Sequence, residues 1–169
     1  GDVQGTTGTT LTATSLTNAG TFVASNTTNQ SSTFTLTTLD NSGTLQSTDA
    51  LHLTIADSLV NSGTIQGGAA DSTFGVAGTL TNSGTLTLAD DITGSGVITA
   101  DTLVNSGTLQ SLGTATFNIA TLFDNSGASC RVLTTGAMKF IGSDASYNLN
   151  NDGKIQSDDL LDLSAEGGT

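Results

Sequence analysis

The sequence predicts an all-β fold, a right-handed parallel β-helix, and three observations carry that expectation. One short stretch recurs along the whole chain, its spacing is that of one coil of a solenoid, and apolar and polar residues alternate within each copy.

The recurring stretch is clearest as LVNSGTIQGG from Leu59. LTNAGTFVAS begins at Leu16, LDNSGTLQST at Leu39, LTNSGTLTLA at Leu80 and LVNSGTLQSL at Leu103. Two looser copies follow, FDNSGASCRV from Phe123 and LNNDGKIQSD from Leu149. With the Leu or Phe two places before each Asn as landmark, the intervals are 23, 20, 21, 23, 20 and 26 residues. A period of that length signals a solenoid, and the whole chain is read as one fragment of a longer rod. Leucine-rich repeats share the period but need several Leu at fixed offsets and a helical return. Here helical periodicity is scarce and β-branched residues abound, so each coil should be strands and turns.

Each copy supplies its own inward and outward positions. In LVNSGTIQ, Leu59 and Ile65 face inward while Val60, Thr64 and Gln66 face out, with the corner Asn61-Ser62-Gly63 between them. The inward position after the Gly is Phe22, Leu45, Ile65, Leu86, Leu109 and Ile155; the sixth copy carries Ser129 there. A second apolar pair precedes each landmark, for example Leu53 and Ile55, Phe74 and Val76, Phe117 and Ile119. In Leu11/Ala13, Phe34/Leu36 and Ile98/Ala100 the pair lies one residue closer to its landmark. Such i, i+2 patterns are those of strands with one buried face. Their crossovers should be right-handed, the usual hand for parallel strands in one sheet.

The corner should use Gly for positive φ and Asn for local bonding and tolerance of left-handed backbone. Asn18, Asn41, Asn61, Asn82, Asn105, Asn125 and Asn151 should form a structural column bonded from coil to coil. At the strand-to-strand rise, seven landmarks span roughly 30 to 35 Å. Outward, Thr21, Thr44, Thr64, Thr85 and Thr108 should form one ladder, and Gln4, Gln46, Gln66, Gln110 and Gln156 another. The opening GDVQG reads like the second half of a copy (compare GTIQG, 63–67), so the sequence is expected to start inside a repeat.

Repeats of the form L-x-N-S/T-G-T-L/I-x-S/A, about 20 residues apart, resemble the filamentous haemagglutinin repeats of bacterial two-partner secretion exoproteins. These are large adhesins and effectors of contact-dependent growth inhibition. LDNSGTLQS (39–47), LVNSGTIQG (59–67) and LVNSGTLQS (103–111) carry the likeness, which covers nearly the whole chain. The resemblance implies a β-helical rod that is secreted or held at a Gram-negative cell surface. It implies an outer-membrane two-partner secretion transporter as export partner, and a target-cell receptor or glycan as ligand. The rod would mediate adhesion or present a receptor-binding or toxin domain. Copy lengths vary more here than in that family, and neither a secretion domain nor a toxin is included.

Composition narrows the alternatives. Of 169 residues only 11% are charged, there is no Pro or Trp, and the net charge is −12. Against fourteen Asp and one Glu stand Arg131, Lys139 and Lys154 alone. Phosphate backbones and anionic membranes need clustered cations, so neither nucleic acid nor a membrane surface is an expected partner. No apolar run approaches 18 residues. A single cysteine, Cys130, makes no internal disulfide.

β-Helices can host carbohydrate-active enzymes, and Asp90-Asp91 and Asp158-Asp159 are the acid pairs such an enzyme would need. Adjacent strand residues point to opposite faces, so these read as solvated turn acids, with no catalytic, cofactor or metal site expected. No calcium nonapeptide array or EF-hand loop is present. His52, between Leu51 and Leu53, should be an outward strand residue, and Cys130 a small strand or turn residue. Thr12/Thr14, Thr35/Thr37, Thr85/Thr87 and Thr114/Thr116 are Thr-x-Thr pairs that skip coils, which argues against a flat ice-binding array. Asn26-Thr27-Thr28 and Asn29-Gln30-Ser31 match the glycosylation pattern within a polar run that should bulge from the rod. The sixth copy, 123–148, is the least regular, and Arg131, Lys139, Phe140 and Tyr147 in it are the candidate partner-binding residues. The alternative is a degenerate coil that packs differently.

Overall fold

The computed structural model describes residues 1–164. All regular structure in them is strand, arranged as a parallel β-solenoid of about 7 turns. One sheet holds the short strands β1 (Val3–Gln4), β3 (Thr21–Ser25), β5 (Thr44–Ser47), β7 (Thr64–Gln66), β9 (Thr85–Thr87), β11 (Thr108–Ser111), β13 (Arg131–Thr134) and β16 (Lys154–Ser157). The other holds the long strands β2 (Thr10–Asn18), β4 (Ser32–Asn41), β6 (Leu51–Asn61), β8 (Ser72–Asn82), β10 (Ser95–Asn105) and β12 (Thr114–Asn125). In the last coil this long strand divides into β14 (Met138–Gly142) and β15 (Asn148–Asn151), and β17 (Leu161–Asp162) closes the sheet on β14. Every pairing is parallel, each strand lying on its counterpart one coil away.

The expected inward positions stack. Leu16, Leu39, Leu59, Leu80, Leu103, Phe123 and Leu149 form one unbroken register column. Leu11, Phe34, Leu53, Phe74, Ile98, Phe117 and Phe140 form a second. Interior members such as Leu59, Leu80, Phe74 and Ile98 are fully buried, worth about 1.5–3 kcal/mol each relative to exposure. Toward the last coils the bore is filled by aromatic rings: Phe140 stacks on Phe117 and meets Phe123 edge-on, both at 4.8 Å between centroids.

The two spacing classes have a simple cause. Each long strand bends between its two inward segments, and the bend holds either one residue or two. Thr14, Thr37 and Asp101 are single-residue bends; Ala56-Asp57, Ala77-Gly78 and Ala120-Thr121 are double ones. Register shifts occur where the classes meet, as between β10 and each neighbour. The extra residue is absorbed there as a bulge, so both flanking columns stay aligned.

The sixth copy departs from expectation in an instructive way. Ser129 does not occupy the inward position; Val132 does, paired with Leu109 and fully buried. The inward residue lies four places after the Asn in the Asn105 copy and seven after Asn125. The three extra residues form a turn in which Gly127 adopts φ 139° and the Cys130 amide donates to the Gly127 carbonyl at 3.0 Å. The core column survives because the insertion is looped out.

Candidate functional site

The Asn corner is the most elaborated feature of the molecule. Asn41, Asn61, Asn82 and Asn105 are buried, and each side chain hands a hydrogen bond to the next coil. Nδ2 of Asn18, Asn41, Asn61, Asn82, Asn105 and Asn125 donates to Oδ1 of the following Asn at 2.6–2.8 Å. The same Nδ2 of Asn61 reaches its own corner at Gly63 O (3.3 Å) and the next coil at Thr85 O (3.0 Å). Corner backbone follows suit: Ser62 and Gly63 amides both donate to Asn41 O, and Thr64 to Gly43 O. The corner is bonded along the axis.

The corner glycines do not serve the expected purpose. Positive φ is confined, among the described residues, to Gly8, Gly127 and Asn29. What Gly provides is room. A Cβ on Gly43 would sit 2.0 Å from Gly20 O, on Gly63 2.1 Å from Gly43 O, and on Gly84 2.0 Å from Gly63 O. From Gly43 to Gly107 the glycines stack so closely that no side chain fits between successive coils. In the sixth copy Cys130 takes this slot, its carbonyl accepting from the Lys154 amide at 2.9 Å. Its thiol is buried and donates to Ser126 O at 3.3 Å, so the group is a packed corner residue.

The four candidate partner-binding residues of the sixth copy do not converge. Phe140 is in the core, 1% exposed, so it presents nothing to a partner. Arg131 is exposed on the short-strand sheet, continuing the column of Thr108, with Lys154 next in line. Lys139 lies on the other sheet between Thr116 and Asp162. Tyr147 packs over Gly142, where an added Cβ would lie 2.3 Å from its ring, and joins the edge of the core. Its hydroxyl is buried without a partner, and burial pushes its pKa up to about 12. The aromatic residues of the irregular copy thus belong to the core or its edge, while Arg131 stays exposed.

The remaining singled-out residues are mostly turn-formers. Asp91 accepts from the amide and hydroxyl of Thr93, Asp144 from Ser146 and Asp162 from Ser164, bonds that hold all three carboxyls below their ordinary range. Among the described residues no three of His, Cys, Asp and Glu gather as metal ligands would. His52 is half-buried, its Nδ1 3.0 Å from the Thr73 hydroxyl on the next strand. Residues 26–31 are exposed throughout, with Asn29 at φ 59°, forming the expected surface loop.

Outward ladders are only partly as expected. Thr21, Thr44, Thr64, Thr85 and Thr108 do share a register column. The Gln series does not: Val23, Thr87 and Leu133 interrupt it, leaving Gln46 and Gln66 as its one adjacent pair. On the long strands Thr pairs align better than their numbers suggest, Thr10/Thr12 lying on Thr33/Thr35. His52, Gly75, Val97 and Asn118 then break the array.

A surface feature absent from the sequence reading is a groove of mixed polarity beside the short-strand sheet. Two adjoining cavities of about 200 and 370 Å³ share Gln110, Ser111 and Leu112. Gln66, at one end, donates to Asp90 at 3.1 Å, and Gln110, where the two cavities join, donates to Thr87 at 3.0 Å. The other end holds Lys154, Gln156 and Asp158. A third dent lies over the long-strand bend, between Ala77, Asp101 and Ala120. It arises because the one-residue bend of β10 sits between two-residue bends. The two adjoining cavities present side-chain hydrogen-bonding groups of both signs to a ligand. No protein-family model, curated protein or solved structure matches the chain.

Proposed function

We propose that this chain is a structural stalk of a secreted or cell-surface bacterial exoprotein of the filamentous haemagglutinin type. The observation that carries the reading is the unbroken stacking of seven landmark residues, Leu16 to Leu149, each followed by an Asn of one bonded column. A stack whose backbone and Asn side chains all bond along one axis resists bending and extension, which suits a rod that holds other modules away from a surface. In this role the chain works without catalysis. Several of its carboxylates cap turns, and its two acid pairs sit at separate coils. Export would use an outer-membrane two-partner secretion transporter. The rod then mediates adhesion, or presents a receptor-binding or toxin domain to target cells.

Adhesion by the rod itself is tested with the purified chain displayed on fluorescent beads and offered to candidate target cells. Saturable, competable binding supports an adhesive stalk. Binding no greater than that of bare beads reduces the role to a spacer, and turnover on a glycan panel would replace it with a carbohydrate-active enzyme.

A further inference from the structure

Two of the chain's three basic side chains are neighbours. Arg131 on β13 lies in register with Lys154 on β16, and both are exposed on the short-strand sheet. The third, Lys139, is on the other sheet. Like charges opposite one another on adjacent strands repel. Among the described residues no side-chain hydrogen bond or ion pair engages Arg131 or Lys154, although the chain carries a net charge of −12. A cation pair left unneutralised on so acidic a protein favours an anionic group placed between the two side chains.

The pair borders the groove of mixed polarity. Lys154 lines its farther cavity, and Arg131 lies two residues before Leu133 on the same outward face of β13. The groove follows one outward column, Gln66, Thr87, Gln110, Leu133 and Gln156, across five coils or roughly 19 Å. Gln66 gives one N–H to Asp90, Gln110 one to Thr87 and Gln156 one to Asp158, at 2.9–3.1 Å. Each carboxamide keeps a second N–H and its carbonyl oxygen, so the groove both donates and accepts. Leu112, 48% exposed, and the partly buried Leu133 add an apolar floor.

Hydroxyl groups also both donate and accept, and sugar rings carry C–H faces that pack on aliphatic side chains. A saccharide chain therefore matches this lining. A polypeptide does not, because the groove crosses the faces of paired strands and offers no free edge for main-chain bonding.

We propose that this groove binds an acidic oligosaccharide. Its anionic group sits between Arg131 and Lys154, and hydroxyls of the same region meet Gln110 and Gln156 on either side of Leu133. The remaining rings run toward Gln66, where the Asp90 carboxylate disfavours a second anion. The inference deepens the adhesive reading and rests on it for its biological use, but the binding itself is tested on the isolated chain.

The purified chain is applied to immobilised oligosaccharides bearing carboxylate, sulfate or no charge, and to an oligo-aspartate peptide, at low and raised salt. Binding is expected to the acidic oligosaccharides alone and should weaken as salt rises. The preferred arm, carboxylate or sulfate, identifies the anion. Arg131→Gln and Lys154→Gln should each weaken binding about tenfold, the loss of one charge-assisted hydrogen bond. Gln110→Ala, which leaves every charge in place, should weaken it too, and Lys139→Gln should leave it unchanged; circular dichroism checks that each variant is folded. Failure to bind any acidic oligosaccharide overturns the proposal. Equal binding of the peptide or of the neutral chains, or an equal loss in Lys139→Gln, overturns it as well. Such a failure leaves cell adhesion by beads standing, since a protein receptor would still register there.

Discussion

Asn61 Nδ2 donates to Asn82 Oδ1 across 2.8 Å, and both side chains are fully buried. Every interior Asn is at once donor and acceptor, so one substitution disturbs two coils. Asn61→Asp keeps an acceptor for Asn41 but turns a carboxylate toward Asn82 Oδ1 and the carbonyls of Gly63 and Thr85. We expect a loss of roughly 3 kcal/mol or more, read by chemical denaturation. Asn151→Asp, exposed at the last coil, should cost less than about 1 kcal/mol. Equal losses at the two positions would show that the ladder is not what secures the corner.

Glycines separate by what lies above them. Gly63→Ala drives a methyl into Gly43 O and should cost about 3 kcal/mol, the upper end of overpacking. Gly75→Ala meets nothing closer than Leu53 O at 3.5 Å and should be neutral or stabilise by up to about 1 kcal/mol. Thermal melts of the two variants side by side make the comparison, and a harmless Gly63→Ala would contradict the close stacking.

Leu80 is fully buried in the landmark column between Leu59 and Leu103. Leu80→Ala should lose about 2–5 kcal/mol. Leu80→Asp, which buries an unpaired charge, should lose more. Because coils are stabilised by their neighbours, hydrogen exchange should accelerate first in the coils of Leu59 and Leu103. An unchanged melting curve for Leu80→Asp would refute the inward assignment.

Phe140 on β14 and Arg131 on β13, in the same irregular copy, should behave oppositely. Phe140→Ala removes a ring stacked on Phe117 and should cost about 3–5 kcal/mol. Arg131→Ala, exposed, should change stability by no more than about 0.5 kcal/mol. Any ligand binding lost in Phe140→Ala should track unfolding, whereas loss in Arg131→Ala with the fold intact would mark a contact.

Tyr147 is the only tyrosine, so its phenolate absorbance can be followed directly. Burial favours its neutral form, raising its pKa to about 12 from the ordinary 10.0 of tyrosine. Between those values the unfolded chain releases the proton and the folded one keeps it, so stability falls as pH rises through that window. The absorbance midpoint should drop toward its ordinary value in denaturant. Tyr147→Phe should flatten the alkaline loss and leave neutral-pH stability equal or slightly higher, since the hydroxyl is buried without a partner.

The sequence by itself determined the parallel β-helix, the inward series through Leu39, Leu59, Leu80 and Leu103, and the Asn column. Those features depend on spacing within one coil, which each copy restates around its own Asn and Gly. The tertiary structure decided what depends on the coil above and below. Gly63 is Gly because of Gly43 O, Val132 rather than Ser129 fills the core, Val23 and Leu133 break the Gln series, and Phe140 lies inside. Val132 and Leu133 follow from the looped-out turn that restores register between coils, and Gly63 from the close approach of the coil before it. Register is a relation between distant segments, and a slip of one residue turns an inward side chain outward, so local spacing alone does not settle it.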